Sequence, residues 1–293
     1  MLADAKRKSK VAYSAGLHPD VIATMKTYAR FSKIELVEVP LGPDGRTDQA
    51  ALTAALAGSA GFFAAQPNFL GCLEDMEALA GATHAAGGLF AAYVNPLSLG
   101  LLKRPGDYGA DVAIGDGQPL GLPLSFGGPY VGFMAATQKL VRNLPGRIAG
   151  ETVDADGTRA YVLTLQAREQ HIRRDKASSN ICSNQALNAL AVNMYLSYVG
   201  GEGLVKIARR CHALACFAED ELAKREIRRM DDAPYFNEFA ITLNHPQEVS
   251  DALFANGVIG GLCIPGGMLL AFTEKRTEAE IERLARLIQE ADR

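Results

Sequence analysis

Residues 111–135 read DVAIGDGQPLGLPLSFGGPYVGFMA, and how they are read decides the fold. Residues 111–114 make a short apolar strand and residues 130–135 a second one. Between them stand Gly115, Gly117, Gly121, Gly127 and Gly128. Glycine tolerates positive φ and lets a ligand or another backbone come close. A glycine-rich loop at a strand end of an α/β domain is where a cofactor or a partner chain usually enters, although the same residues also serve a plain structural turn. Some enzymes place a Schiff-base lysine in such a loop. Here the residues between the two strands include Gln118, Pro119 and Ser125, and no lysine.

Working upstream, apolar strands at residues 11–15, 34–39, 61–65 and 89–94 alternate with helical stretches at 19–29, 48–56 and 73–86. Pro19 suits a helix's first turn, where its missing N–H has no partner to lose. Thr47 or Asp48 is placed to cap the second helix. Strands separated by helices imply βαβ crossovers and a mainly parallel sheet, whose ligands sit at the carboxyl ends of the strands. Those ends are Gly16-Leu17-His18, Gln66-Pro67-Asn68, Asn95-Pro96 and Gly115-Asp116-Gly117. They should converge, bringing polar groups and little positive charge.

The bounds on function are broad. The 293 residues, 48% of them hydrophobic, are enough for one large domain or two ordinary ones with a real core. With 30 basic and 33 acidic residues, the chain has no electrostatic footprint for nucleic acid. Cys72, Cys182, Cys211, Cys216 and Cys263 are odd in number and form no CxxC pair, so they suggest scattered thiols rather than a disulfide framework or a zinc site. No signal-peptide pattern opens the sequence, and the default is a soluble cytoplasmic protein.

Downstream, residues 138–142 form a short helix and residues 150–159 a polar, turn-rich stretch with a hairpin turn at Asp156-Gly157. The segment EQHIRRDK, residues 169–176, alternates sign densely and reads mainly as a solvated ion-pair face. Its functional reading is an anion site on Arg173 or Arg174, with His171 nearby. Residues 186–198 form a helix, and a second long helix runs over 203–225. It links a large domain, residues 1–200, to a small C-terminal α+β domain, residues 201–293. In the latter, strands at 239–243 and 268–272 alternate with helices at 247–256 and 278–291. No metal-ligand spacing, GxSxG elbow or phosphate loop is present, so no metal is expected.

Several segments resemble the P-protein family of the glycine cleavage system in its first-subunit form, glycine dehydrogenase (decarboxylating) subunit 1. They are QPNFLG at 66–71, RPGDYGAD at 104–111, GDGQPLGLPLSFGGPYVGF at 115–133, the run PGRIAGETVDADGTRAYVLTLQAREQHIRRDKASSNICSNQAL at 145–187, FNEF at 236–239 and TEKRT at 273–277. The resemblance covers essentially the whole chain. It implies a type I pyridoxal-phosphate transferase-like (aminotransferase-like) fold built from two related halves, of which the second carries the cofactor lysine. Alignment of the GGP segment puts Gln118, or Pro119, at the position of that lysine. Asn95 falls where the family fold places an Asp under the pyridine nitrogen.

The implied role is that of a subunit holding no cofactor of its own. It would pair with a lysine-bearing subunit that binds pyridoxal phosphate and would work with glycine and the lipoylated H-protein. Ser125, Gly127, Gly128, His171, Arg173 and Asn184 are the residues expected at the partner interface or active-site entrance. Relative to the family, the sequence reads as N-terminally truncated, and its loop at 260–267 as shortened. The rival expectations are a non-catalytic structural pseudoenzyme or inactive fragment, and an independent enzyme using Lys103, Lys139 or Lys176.

Overall fold

The computed structural model describes residues 1–166, 169–177 and 185–292. Its main sheet holds β1 (Lys10–Ser14), β2 (Glu35–Val39), β3 (Gly61–Gln66), β4 (Leu89–Val94), β5 (Val112–Asp116) and β6 (Gly132–Ala136), in the order β2-β1-β3-β4-β5-β6. The first five strands are parallel, and β6 returns antiparallel to β5 with Phe133 opposite Gly115. Strands β3 and β4 are almost continuously buried, as strands covered on both faces must be.

The helices around this sheet are α1 (Leu2–Lys6), α2 (Pro19–Ser32), α3 (Gln49–Leu56) and α4 (Met76–Ala85). Their starts follow local chemistry. His18 Nδ1 accepts from the Asp20 N–H ahead of Pro19, and Asp48 accepts from the Ala50 and Ala51 N–H groups. Helix α4 begins at Met76 rather than Leu73, because Asp75 caps it while Leu73 N–H is spent on Pro234 O. Leu52, Phe62, Met76, Leu79 and Phe90 form the core on one face of the sheet, and Tyr13, Leu17 and Phe63 lie on the other.

The turn-rich stretch with its expected hairpin turn is a β-hairpin, β7 (Ile148–Val153) paired antiparallel with β8 (Arg159–Thr164). Its turn lies at Asp156-Gly157 as expected, with Asp154 N–H donating to Thr158 O at 2.8 Å. The strands escaped notice because the hairpin is largely solvent-exposed, Val153, Tyr161 and Val162 included, so no buried face imposes an apolar alternation.

A short α5 (Gln170–Arg173) precedes the long α6 (Ala186–Ala223), which is broken at Gly200 (φ 64°, ψ 177°) into the two helices read from the sequence. Beyond it, β9 (Glu238–Thr242), β10 (Leu262–Ile264) and β11 (Gly267–Ala271) form an antiparallel sheet in the order β10-β11-β9. Helices α7 (Pro246–Ala255) and α8 (Glu278–Ala291) cover it; α8 starts at a capping box between Thr277 and Glu280. Strand β10 was not read from the sequence. The two sheets are tied together by the second half of α6, whose Ala208 and Cys211 pack with Leu97 and Phe236.

Among the described residues no helix is long and apolar enough to cross a membrane.

Candidate active-site cleft

The strand ends do converge. A cavity of about 380 Å³ opens where β3, β4 and β5 finish and where the small sheet leans over them. His18, Pro67, Asn68, Asn95, Pro96 and Asp116 all line it, so each expected strand end contributes. Gln118 and Pro119, one or the other of which is expected in place of a cofactor lysine, line it too. Phe69, Tyr93, Tyr130, Glu238, Leu262 and Leu269 also line the wall.

Local hydrogen bonds fix most of the polar wall. Asp116 accepts the Gln118 N–H at 2.7 Å, and Gln118 Nε2 donates to Leu122 O at 2.9 Å. Asn95 Oδ1 accepts the Leu97 N–H at 3.0 Å. His18 meets Phe69 edge-on, ring centroids 5.2 Å apart. The QPNFLG segment is held by Asn68, whose Nδ2 donates to Gly45 O at 2.8 Å and to Glu74, while its Oδ1 accepts the Leu70 and Cys72 N–H groups. The RPGDYGAD segment is structural: Tyr108 packs on Phe90, and Asp111 Oδ2 takes the Phe90 N–H and His84 Nε2.

The glycines of the opening stretch divide by role. A Cβ on Gly115 would meet Val94 O and the Phe133 ring, one on Gly117 would meet Val131, and one on Gly121 would meet the Tyr195 ring. These three serve close packing within the chain. A Cβ on Gly127 would meet nothing, and one on Gly128 only the Tyr130 N–H at 3.1 Å. Their loop is open, with Leu124, Ser125 and Phe126 exposed.

Of the expected interface residues, Ser125, Gly127, His171 and Arg173 are exposed and Gly128 is half-buried; none lines the cavity. His171 Nε2 lies 3.4 Å from Gln166 Oε1. Asn184 lies outside the described residues.

Sequence reasoning missed Tyr130 and Glu238. The usable signal for the second was FNEF, a carboxylate set between two phenylalanines at the start of a strand. Burial pushes the Glu238 carboxyl above its ordinary range, and burial with Asp116 nearby raises the Tyr93 phenol.

An aldehyde-bearing, phosphorylated cofactor would need a primary amine to join and cations or free N–H groups for its phosphate. Among the described residues the lining holds no lysine and no arginine, and it presents the carboxyls of Asp116 and Glu238. The residues of this cavity therefore do not fit pyridoxal phosphate. Among the described residues no cluster of His, Cys, Asp and Glu side chains is placed to hold a metal ion.

The parallel sheet with one antiparallel strand, the strand-end cleft and the small antiparallel sheet define the type I pyridoxal-phosphate transferase-like fold. The same architecture is found in a Burkholderia pseudomallei sphingosine-1-phosphate lyase (TM-score 0.69, 15% identity, 99% of this chain and 66% of that one). Within that fold the chain belongs to the family described as glycine cleavage system P-protein, whose model matches residues 1–288.

A crystal structure of glycine decarboxylase (P-protein) of the glycine cleavage system, in inhibitor-bound form, superposes with TM-score 0.94 at 41% identity over 99% of this chain and 67% of that one. Among curated relatives, the probable glycine dehydrogenase (decarboxylating) subunit 1 of Syntrophomonas wolfei is 50% identical over 98% of this chain and 66% of its own. That of Moorella thermoacetica is 48% identical over 96% and 65%. The chain thus spans just under two thirds of the length of these relatives.

Proposed function

We propose that this chain acts as the cofactor-free subunit of a two-subunit glycine decarboxylase, an oxidoreductase of the glycine cleavage system. The assembled enzyme decarboxylates glycine and passes the aminomethyl group to the lipoyl arm of the H-protein. Pyridoxal phosphate sits on a lysine-bearing partner subunit, and the complex is cytoplasmic. The observation that supports this reading is the strand-end cleft, whose lining among the described residues includes Gln118 and Pro119 and no lysine. Residues 1–200 and 201–293 are its two domains, a division favoured by the helix break at Gly200.

A solvent-exposed apolar surface supports the pairing. On the first half of α6, Leu187, Leu190, Met194 and Tyr198 are exposed at spacings of three or four, which places them on one helix face. Asn188 Nδ2 donates to Pro129 O and Tyr130 O, tying that helix to the open loop that carries Leu124 and Phe126. Apolar side chains grouped in this way mark an interaction surface. Ser125, Gly127 and Gly128, together with His171, Arg173 and Asn184, are the contact residues of this reading.

Co-expression with a lysine-bearing second subunit tests it. We expect one complex on size exclusion and glycine–bicarbonate exchange with lipoylated H-protein only when both chains are present. Exchange by the partner alone at the rate of the pair would overturn the reading. Phe126→Ser should weaken the pairing by about tenfold or more, the scale of an exposed aromatic anchor at an interface. Because Phe126 is 87% exposed, the thermal midpoint of the chain alone should stay unchanged.

A further inference from the structure

Glu238 has no role in the reading above and an unusual setting. It opens β9, and it is a partly exposed residue that lines the strand-end cleft. It has no hydrogen-bond or ion-pair partner among the described residues. Carboxylates removed from water are ordinarily paired, and one left facing a cavity alone is poised for a cation. Asp116 adds a second carboxyl to the same wall. Phe69, Tyr93 and Tyr130 make part of the remaining lining aromatic, and no lysine or arginine of the described residues offers competition. Ring faces next to carboxylates favour an alkylammonium over a hydrated metal ion, since the rings attract the cation and cover its alkyl part.

We propose that this cleft is a binding site for a primary alkylammonium group, held by Glu238 and Asp116 against the aromatic wall. The group can come from a free small amine or from a lysine side chain of the complementary subunit; the recognition chemistry is the same. Anionic ligands are disfavoured by the same two carboxyls. The inference concerns this chain alone and stands whether or not the decarboxylase reading holds.

The test uses n-propylammonium chloride and the isosteric propionate anion, each titrated into the full chain at constant ionic strength and read by saturation-transfer NMR. Propylammonium should saturate and propionate should not. Glu238→Gln should weaken propylammonium binding at least tenfold while leaving the thermal midpoint equal or higher, because a neutral amide replaces an unpartnered, partly buried carboxyl. Gln118→Lys supplies a tethered ammonium within the cleft and should abolish propylammonium binding while raising the midpoint.

Equal binding of propionate, or Glu238→Gln binding within twofold of the parent, would overturn the proposal. Repeating the titration on the two-subunit complex separates the sources. Persisting binding identifies a free-amine site, and loss of binding on assembly identifies a partner lysine as the occupant.

Discussion

Gly71→Ala should lower the stability of the chain by about 3–4 kcal/mol, well above the ordinary cost of a surface substitution. Two separate penalties combine. Gly71 has φ 90°, a conformation that costs an L-residue about 1–2 kcal/mol. A Cβ there would also stand 2.1 Å from Glu238 O and 2.5 Å from Glu238 C, and both atoms belong to a strand backbone that cannot rotate aside. Relief requires the 66–71 loop to part from β9. That seam is also where Leu73 N–H meets Pro234 O at 2.7 Å and Cys72 bridges to Tyr235.

The change should therefore disturb the cleft as well as the fold, since Pro67, Asn68 and Phe69 line one side of it and Glu238 the other. Gly87→Ala is the control: φ is 74° but no atom lies within 4 Å of the new Cβ, so only the conformational cost of about 1 kcal/mol remains. Denaturant titration of both variants measures the difference. Equal losses would mean that the seam yields easily and that the approach of loop and strand is not tight in solution.

The sequence made the sheet and the position of the cleft legible for physical reasons that can be named. Strand β4 falls at residues 89–94 as read, because an apolar run between Gly88 and Asn95 has only one way to be buried. Helix α8 falls at 278–291 because Thr277 and Glu280 satisfy each other's backbone N–H groups. The convergence of His18, Asn68, Asn95 and Asp116 follows from parallel topology alone. The extent of the strands β7 and β8, though not the turn between them, and the short β10 stayed hidden because they have too little buried surface to stamp a pattern on the sequence.

Glu238 and Tyr130 stayed hidden for a different reason. Glu238 reaches the cleft from another sheet and Tyr130 from the loop ahead of the antiparallel return strand, and no local periodicity records a contact of that range. Asn68 is legible as part of a strand end, but not as the hub of the loop that its four hydrogen bonds make it. The charged stretch at 169–176 reads mainly as a solvated face, and its residues 170–176 form a short helix and a 3-10 turn with every side chain exposed.

Glu74→Ala is the second change with a large expected effect, a loss of about 2–4 kcal/mol. Glu74 is buried under the cleft. Its Oε1 accepts from Thr47 N, Thr47 Oγ1 and Asn68 Nδ2, and its Oε2 lies 2.9 Å from Thr47 N. Thr47 Oγ1 in turn lies 2.8 Å from Ser14 Oγ. Removing the carboxyl strands the buried Thr47 N–H and frees the Asn68 amide that positions the loop. The cost of orphaned donors, not the loss of one bond, sets the magnitude.

The pH course has a definite sign. Burial raises the Glu74 carboxyl above its ordinary range, and the donated hydrogen bonds of Thr47 and Asn68 only partly oppose that rise. The folded chain therefore holds this proton more tightly than the unfolded one. The stabilisation from this tighter hold is fully present below the unfolded carboxylate range, and it is lost as pH rises through the raised folded value. The difference in stability between the parent chain and Glu74→Ala should accordingly be largest in acid and shrink toward neutrality, in denaturant titrations run at several pH values. A difference that grows with pH would mean that the four contacts favour the ionised carboxylate more than burial opposes it, and that the network works as an anion clamp.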